Sequence, residues 1–130
     1  MSPPSSTAAA KPPSVLIVED DRDVREALVD VLEEEGIIVA SAVNGSEALA
    51  YLRNAAVLPK LILLDLMMPV MDGREFRSEQ VKVLEFAAVP VVVMTAAGNF
   101  DHDAMRSTVA GALKKPLHLV ELLSLVQRFH

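Results

Sequence analysis

VLIVEDDRDVREALVDVLEEEG, residues 15–36, is the stretch whose reading decides the fold. Val15 to Val18 are four consecutive apolar residues without in-out alternation, the pattern of a short strand covered on both faces. Glu19, Asp20 and Asp21 end that run abruptly. From Arg22 to Glu35 the apolar positions Val24, Leu28, Val31 and Leu32 fall at helical spacing. Asp21 is placed to cap the helix, and Gly36 can take the left-handed stop. The acidic run Glu33 to Glu35 has no local rationale, because the helix macrodipole disfavours negative charge at a C-terminus.

Working outward, the same strand-then-helix unit recurs. Ile37 to Val43 reads as strand two, and Asn44 with Glu47 has capping-box spacing before a helix carrying Ala48, Leu49 and Leu52 on one face. Leu61 to Leu64 is strand three. The loop LMMPVMDG leads to a helix expected over Gly73 to Ala87, with Phe76, Val83 and Leu84 inward. Asp72 and Gly73 supply the turn and helix entry. Pro90 to Thr95 is strand four, Asp101 to Ala110 a short helix, Ala112 to Lys114 strand five and Leu117 to Phe129 a closing helix. In that last helix Leu119, Leu122, Leu123 and Val126 share a face toward the sheet. Leu117, Val120 and Leu125 point partly elsewhere, as a candidate contact surface for a partner. Five apolar strands separated by helices give an α/β protein with a parallel sheet covered on both faces.

The composition bounds the rest. The chain has 130 residues, 52% of them hydrophobic, which suits one core and is too short for two. Residues 1–13, MSPPSSTAAAKPP, lack an apolar period and read as a disordered tail, leaving 14–130 as the domain. Twelve Lys plus Arg against 18 Asp plus Glu give a net charge of -6, so direct nucleic-acid binding is not expected. With no cysteine there is no disulfide framework, thiolate metal site or Cys nucleophile, which fits a reducing compartment. No apolar run approaches the roughly 18 residues of a membrane span, and no secretory signal is present, so a cytoplasmic protein without membrane insertion is expected.

In open parallel sheets ligands sit beyond the carboxyl ends of the strands. Those ends carry Glu19 and Asp20 after strand one, Asp65 after strand three, Thr95 closing strand four and Lys115 after strand five. Three converging carboxylates repel unless a cation holds them ionised, and few oxygens with open positions suit Mg²⁺ better than Ca²⁺. The Thr95 hydroxyl and Lys115 ammonium complete a site for an anion with several oxygens, most simply a phosphoryl group. Asp65, on the middle of the three strands, is the acceptor.

VLIVEDD, LILLDLMMPVMDG, PVVVMTA and LKKPL, in this order and spacing, resemble the signature segments of bacterial response-regulator receiver domains, from about Ser14 to Phe129. The resemblance implies a flavodoxin-like (βα)5 fold with strand order 2-1-3-4-5, which the chemotaxis regulator exemplifies. It implies that Glu19 and Asp20 are the metal-binding acidic pair, that Asp65 is phosphoacceptor and metal ligand, and that the Met67 backbone carbonyl is a further ligand. It also implies Thr95 as the hydroxyl switch residue and Lys115 as the phosphate-pairing lysine before a cis proline. Implied partners are a sensor histidine kinase or phosphotransfer protein and a downstream protein; the domain is implied to promote its own phosphorylation and dephosphorylation and not to act as an enzyme on an external metabolite. The family usually has an aromatic three residues before that lysine, where this chain has Ala112. Coupling is therefore expected through the segment between Thr95 and Asp103, with Phe100 as mobile side chain.

Alternatives read less well. A flavodoxin phosphate loop would not be EDDRD, and a haloacid-dehalogenase-type phosphatase wants an aspartate where Met67 stands. A phosphorylation-independent receiver-like interaction module typically loses the acidic pair or the lysine, both present here. Met67, Met68 and Met71 read as flexible apolar packing. His102, His118 and His130 read as ordinary surface residues.

Overall fold

The computed structural model describes residues 13–96, 98, 100 and 103–129. The four apolar residues Val15–Val18 form β1 and are all buried. There follow α1 (Arg22–Glu34), β2 (Val39–Ala42), α2 (Gly45–Asn54), β3 (Leu61–Asp65), α3 (Gly73–Gln80) and α4 (Leu84–Ala87). The chain continues through β4 (Val91–Thr95), a 3₁₀ helix (Ala104–Thr108), β5 (Gly111–Lys114) and α5 (Leu119–Val126). All pairings are parallel, in the order β2-β1-β3-β4-β5. Chain direction across the sheet reverses between β1 and β3, which opens the crevice in which such sheets bind ligands.

Successive strand residues point to opposite faces, and both faces are buried. Leu16, Val18, Ile62, Leu64, Val91 and Val93 pack with Leu49, Leu52 and Phe76 from α2 and α3. Val15, Ile17, Leu61, Leu63, Val92 and Met94 pack with Leu28 and Leu32 of α1 and Leu122 and Val126 of α5. Asp21 caps α1, its carboxylate accepting from Val24 N at 3.1 Å. Gly36 takes φ +81° just beyond the helix. Asn44 Oδ1 accepts from Glu47 N at 2.8 Å, but the Glu47 carboxylate reaches Val43 N instead of closing the box on Asn44. The reciprocal box is Asp72 with Glu75, at 2.9 and 3.2 Å.

Several expectations are corrected. The helix expected over Gly73 to Ala87 breaks at residues 81–83, and Val83 and Leu84 are exposed while Phe86 is buried. The break is stabilised by Gln80, whose buried amide donates to the carbonyls of Phe86 and Val89 at 2.7 and 3.2 Å. In α5, Leu119 is half exposed, whereas Leu125 is half-buried and packs inward beside Gly111. Strand two begins at Val39, because Ile37 N still closes on Leu32 O. Of the short helix expected over Asp101 to Ala110, the described residues form a 3₁₀ helix over Ala104–Thr108 capped by Asp103, while Asp101 and His102 lie outside the described residues. The closing helix runs from Leu119 to Val126 only. Met68 and Met71 pack on the core, but Met67 is exposed. His118 is exposed. His102, His130 and residues 1–12 of the expected tail lie outside the described residues.

Candidate functional site

Strand register assembles the site. Val18 pairs with Leu64, Asp65 with Met94 and Thr95 with Lys114, so the residues following these pairs emerge along one edge of the sheet. Lys115 N donates to Thr95 O at 2.9 Å, which holds the end of β5 against β4. The Lys115–Pro116 bond is cis. Glu19, Asp65 and Thr95 are buried, and Asp20 is exposed.

Lys115 Nζ donates to Glu19 Oε1 at 2.9 Å and stands 3.5 Å from Asp65 Oδ2. Glu19 Oε2 accepts from Asp21 N, and Asp65 Oδ1 from Met67 N, each at 3.2 Å. Arg25 Nη1 holds the backbone of the acidic pair, donating to the carbonyls of Glu19 at 2.9 Å and Asp20 at 3.2 Å. Periodicity places Arg25 on α1, but gives no hint that its side chain folds back over the loop before the helix.

The loop after β3 is fixed from several sides. Gly73 N donates to Leu66 O at 3.1 Å, and Gly45 N to Met71 O at 2.9 Å. Between them Val70 adopts φ +67°, a strained value for a β-branched residue, with Met71 N bonded to Pro69 O at 2.8 Å. Ala112 is half-buried and packs against the core cluster that contains the buried Phe100.

The electrostatics fit a cation. One ligand oxygen from each of Glu19, Asp20 and Asp65 lies within 4.8 Å of the others. Burial pushes the Glu19 carboxyl up to about 7 from its ordinary 4.5; the adjacent Asp65 adds to the rise, and the bonds from Lys115 and Asp21 oppose it. Burial pulls the Lys115 ammonium down, but its bond to Glu19 and the charges of Asp65 and Glu19 outweigh that and leave it raised. A hard oxygen set carrying excess negative charge is the chemistry Mg²⁺ selects.

A pH dependence with an unusual sign follows. The folded state binds the Glu19 proton more tightly than the unfolded chain does. The contribution of Glu19 to stability is therefore full below about 4.5 and is lost as pH rises through about 7. The loss amounts to at most about 3 kcal/mol. A divalent cation must displace that proton, so its stabilising effect grows from pH 6 to pH 8. Thermal melts at both pH values, with EDTA or millimolar MgCl₂, test this. A melting temperature indifferent to Mg²⁺ at pH 8 counts against a metal site.

Fold and site together define an α/β protein whose central strand ends gather the acidic cluster Glu19, Asp20 and Asp65 beside the Lys115 ammonium. The chain matches the model of the response regulator receiver domain over residues 15–127. It is 38% identical over 117 residues to an uncharacterized 14.6 kDa protein of Leptolyngbya boryana, covering 88% of each chain. It is 36% identical over 122 residues to response regulator Rre1 of Synechocystis, covering 91% of this chain but only 52% of that one. Among solved structures, the chemotaxis response regulator CheY4 of Vibrio cholerae aligns with a TM-score of 0.80 at 28% identity, covering 91% and 98% of the two chains. The response regulator TrrA of Thermotoga maritima, solved with Mg²⁺-BeF, aligns with a TM-score of 0.77 at 29% identity, covering 88% and 96%. The chain belongs to the response regulator receiver domains of two-component systems. It spans about half the length of several curated relatives, Rre1 among them. No helix among the described residues is long and apolar enough to cross a membrane.

Proposed function

We propose that Asp65 accepts a phosphoryl group from a phosphohistidine on a sensor histidine kinase or phosphotransfer protein. The observation that carries this is the placement of the Asp65 carboxylate on the central strand, with Lys115 Nζ at 3.5 Å and two further carboxylates beside it. A carboxylate oxygen of Asp65 forms the new bond to phosphorus while the phosphorus–nitrogen bond to the donor imidazole breaks. The imidazole keeps that electron pair and takes up a proton. Glu19, Asp20, Asp65 and the Met67 backbone carbonyl would hold Mg²⁺, which supplies charge neutralisation for the transferring group. Lys115 trades part of its attraction to Glu19 for a phosphoryl oxygen, and the Thr95 hydroxyl donates to another. Glu19, itself occupied by Lys115 and Asp21, is held off the nucleophilic role.

The phosphorylated domain then changes its affinity for a downstream protein, in the cytoplasm and without binding nucleic acid itself, in keeping with its net charge of -6. A receiver-type stretch 33% identical to this chain lies within the sensor histidine kinase CheAY of Helicobacter pylori, which supports a kinase as donor. The self-phosphorylating chemistry is the domain's own and acts on no external metabolite. We place the domain at residues 14–130, after a tail of residues 1–13. A phosphorylation-independent module has no observation in its favour, since the acidic pair, Asp65, Thr95 and Lys115 are all assembled.

Incubation with acetyl phosphate and MgCl₂ tests the proposal by intact mass. The expected result is one phosphoryl increment, mapped to the peptide containing Asp65 and absent when EDTA replaces Mg²⁺. An increment on another residue, or none, overturns it.

A further inference from the structure

Two arginines of α3 lie outside the acidic site, yet together they hold both ends of one short element. Arg74 meets the Asp103 carboxylate as a fork, with Nη1 on Oδ1 at 3.0 Å and Nη2 on Oδ2. Asp103 is the cap of the 3₁₀ helix Ala104–Thr108, its Oδ1 accepting from Met105 N at 2.8 Å. Three residues along, and so on the same face of α3, Arg77 donates from Nη2 to the Thr108 carbonyl at 2.6 Å, at the far end of that helix. Its Nη1 donates to Gln80 Oε1 at 2.9 Å. Gln80 passes the network on to Phe86 and Val89, ahead of β4.

Stability does not account for this arrangement. Arg77 Nε is buried without a hydrogen-bond partner among the described residues. A half-buried guanidinium with an unmet donor costs more than an apolar side chain of similar volume would. The 3₁₀ helix has no fully buried residue of its own, and only Met105, half-buried, packs against the core, so the clamp fastens an element that the core itself holds weakly. What the clamp does is fix position. Immediately before Arg74, at its first residue, α3 abuts the phosphoacceptor strand: a Cβ on Gly73 would stand 2.6 Å from the Asp65 carbonyl oxygen. Backbones in such contact move together, because packed interiors do not deform continuously.

We propose that Arg74 and Arg77 are positioning residues that bind the 3₁₀ helix 104–108 to α3, so that a change at Asp65 moves the two as one body. This rests on Asp65 being the phosphoacceptor.

The test is amide NMR of the full chain with and without Mg²⁺ and beryllofluoride, in wild type and in Arg74→Ala/Arg77→Ala. In wild type, α3 and residues 104–108 respond with the same midpoint. In the double variant the response at Leu66 and Thr95 is kept and that of residues 104–108 is lost. Asp103→Asn, which can still cap Met105 N, keeps the 3₁₀ helix but loses the charged fork, and its response at 104–108 falls severalfold. A merely structural role predicts an undiminished response in that variant. Full response at 104–108 in both variants, or a wild-type response confined to Leu66 and Thr95, overturns the clamp and leaves Asp65 untouched. A wild type with no response at Leu66 or Thr95 overturns the phosphoacceptor reading as well.

Discussion

Asp65→Asn abolishes phosphoryl incorporation from acetyl phosphate and yields a domain that, in EDTA at pH 8, melts at a higher temperature than wild type. The loss is complete because neither neighbouring carboxylate can take over. Glu19 is buried with Oε1 on Lys115 and Oε2 on Asp21 N. Asp20 is exposed, and the ion pairs of Lys115 go to Glu19 and Asp65. The gain in stability has the opposite origin. Asp65 is a buried carboxylate beside two others, and it shares the Lys115 ammonium with Glu19. Removing it forfeits an attraction to Lys115 at 3.5 Å, but also a desolvation cost and two repulsions. These outweigh one contact already weaker than the 2.9 Å bond of Lys115 to Glu19, by about 1 kcal/mol. Stabilisation by Mg²⁺ shrinks in the variant, because one of the three clustered carboxylates becomes a neutral carboxamide and the cluster loses a negative charge. Intact mass and paired melts measure both halves. Labelling equal to wild type ends the assignment of Asp65, and a lower melting temperature shows that the Lys115 attraction dominates.

The residues of this site were legible because they interrupt apolar runs. Val15–Val18, Leu61–Leu64 and Val91–Met94 can only be buried strands, so Glu19, Asp65 and Thr95 must stand at their ends. A parallel sheet then brings those ends to one edge whatever the helices do. Less could be read where a side chain replaces a regular feature. Helical phase counts residues correctly only while the helix continues. Val83 and Leu84 share the phase of Phe76, but Gln80 feeds its amide to Phe86 and Val89 and lets the chain turn between them. Phase likewise cannot show that Leu125 packs inward beside Gly111 of β5 while Leu119 stays half exposed. The Asp72–Glu75 box was present in the sequence as D-x-x-E, yet the Asp–Gly pair reads first as a turn. Long-range partners such as Arg74 with Asp103 leave no periodic trace at all, being 29 residues apart.

Gly73→Ala carries the largest stability cost of any single methyl added near the site. The new Cβ would meet the Asp65 carbonyl oxygen at 2.6 Å, Leu66 Cα at 2.8 Å and Leu66 Cδ2 at 2.9 Å. Two of these three atoms are backbone and belong to the end of the central strand, so they cannot swing away as a side chain end could. Gly45 makes a useful contrast. There two of the three close atoms, Met71 Cγ at 2.7 Å and Sδ at 3.0 Å, belong to a flexible side chain. Relief at Gly73 must come from moving α3 away from β3, which breaks the bond from Gly73 N to Leu66 O and the seat of Phe76 in the core. The expected cost is about 2–4 kcal/mol, in the range of severe overpacking against backbone. The same movement displaces Asp65 relative to Lys115, so phosphorylation by acetyl phosphate slows by about tenfold or more even in the folded fraction, since small misplacements of reacting groups are costly. Gly98→Ala, with nothing within 4 Å of its added methyl, serves as the control and stays near wild type in both measurements. Urea midpoints together with labelling rates under folding conditions separate the two effects. A Gly73→Ala variant with wild-type stability would mean that α3 is not packed against the phosphoacceptor strand as closely as the backbone distances require.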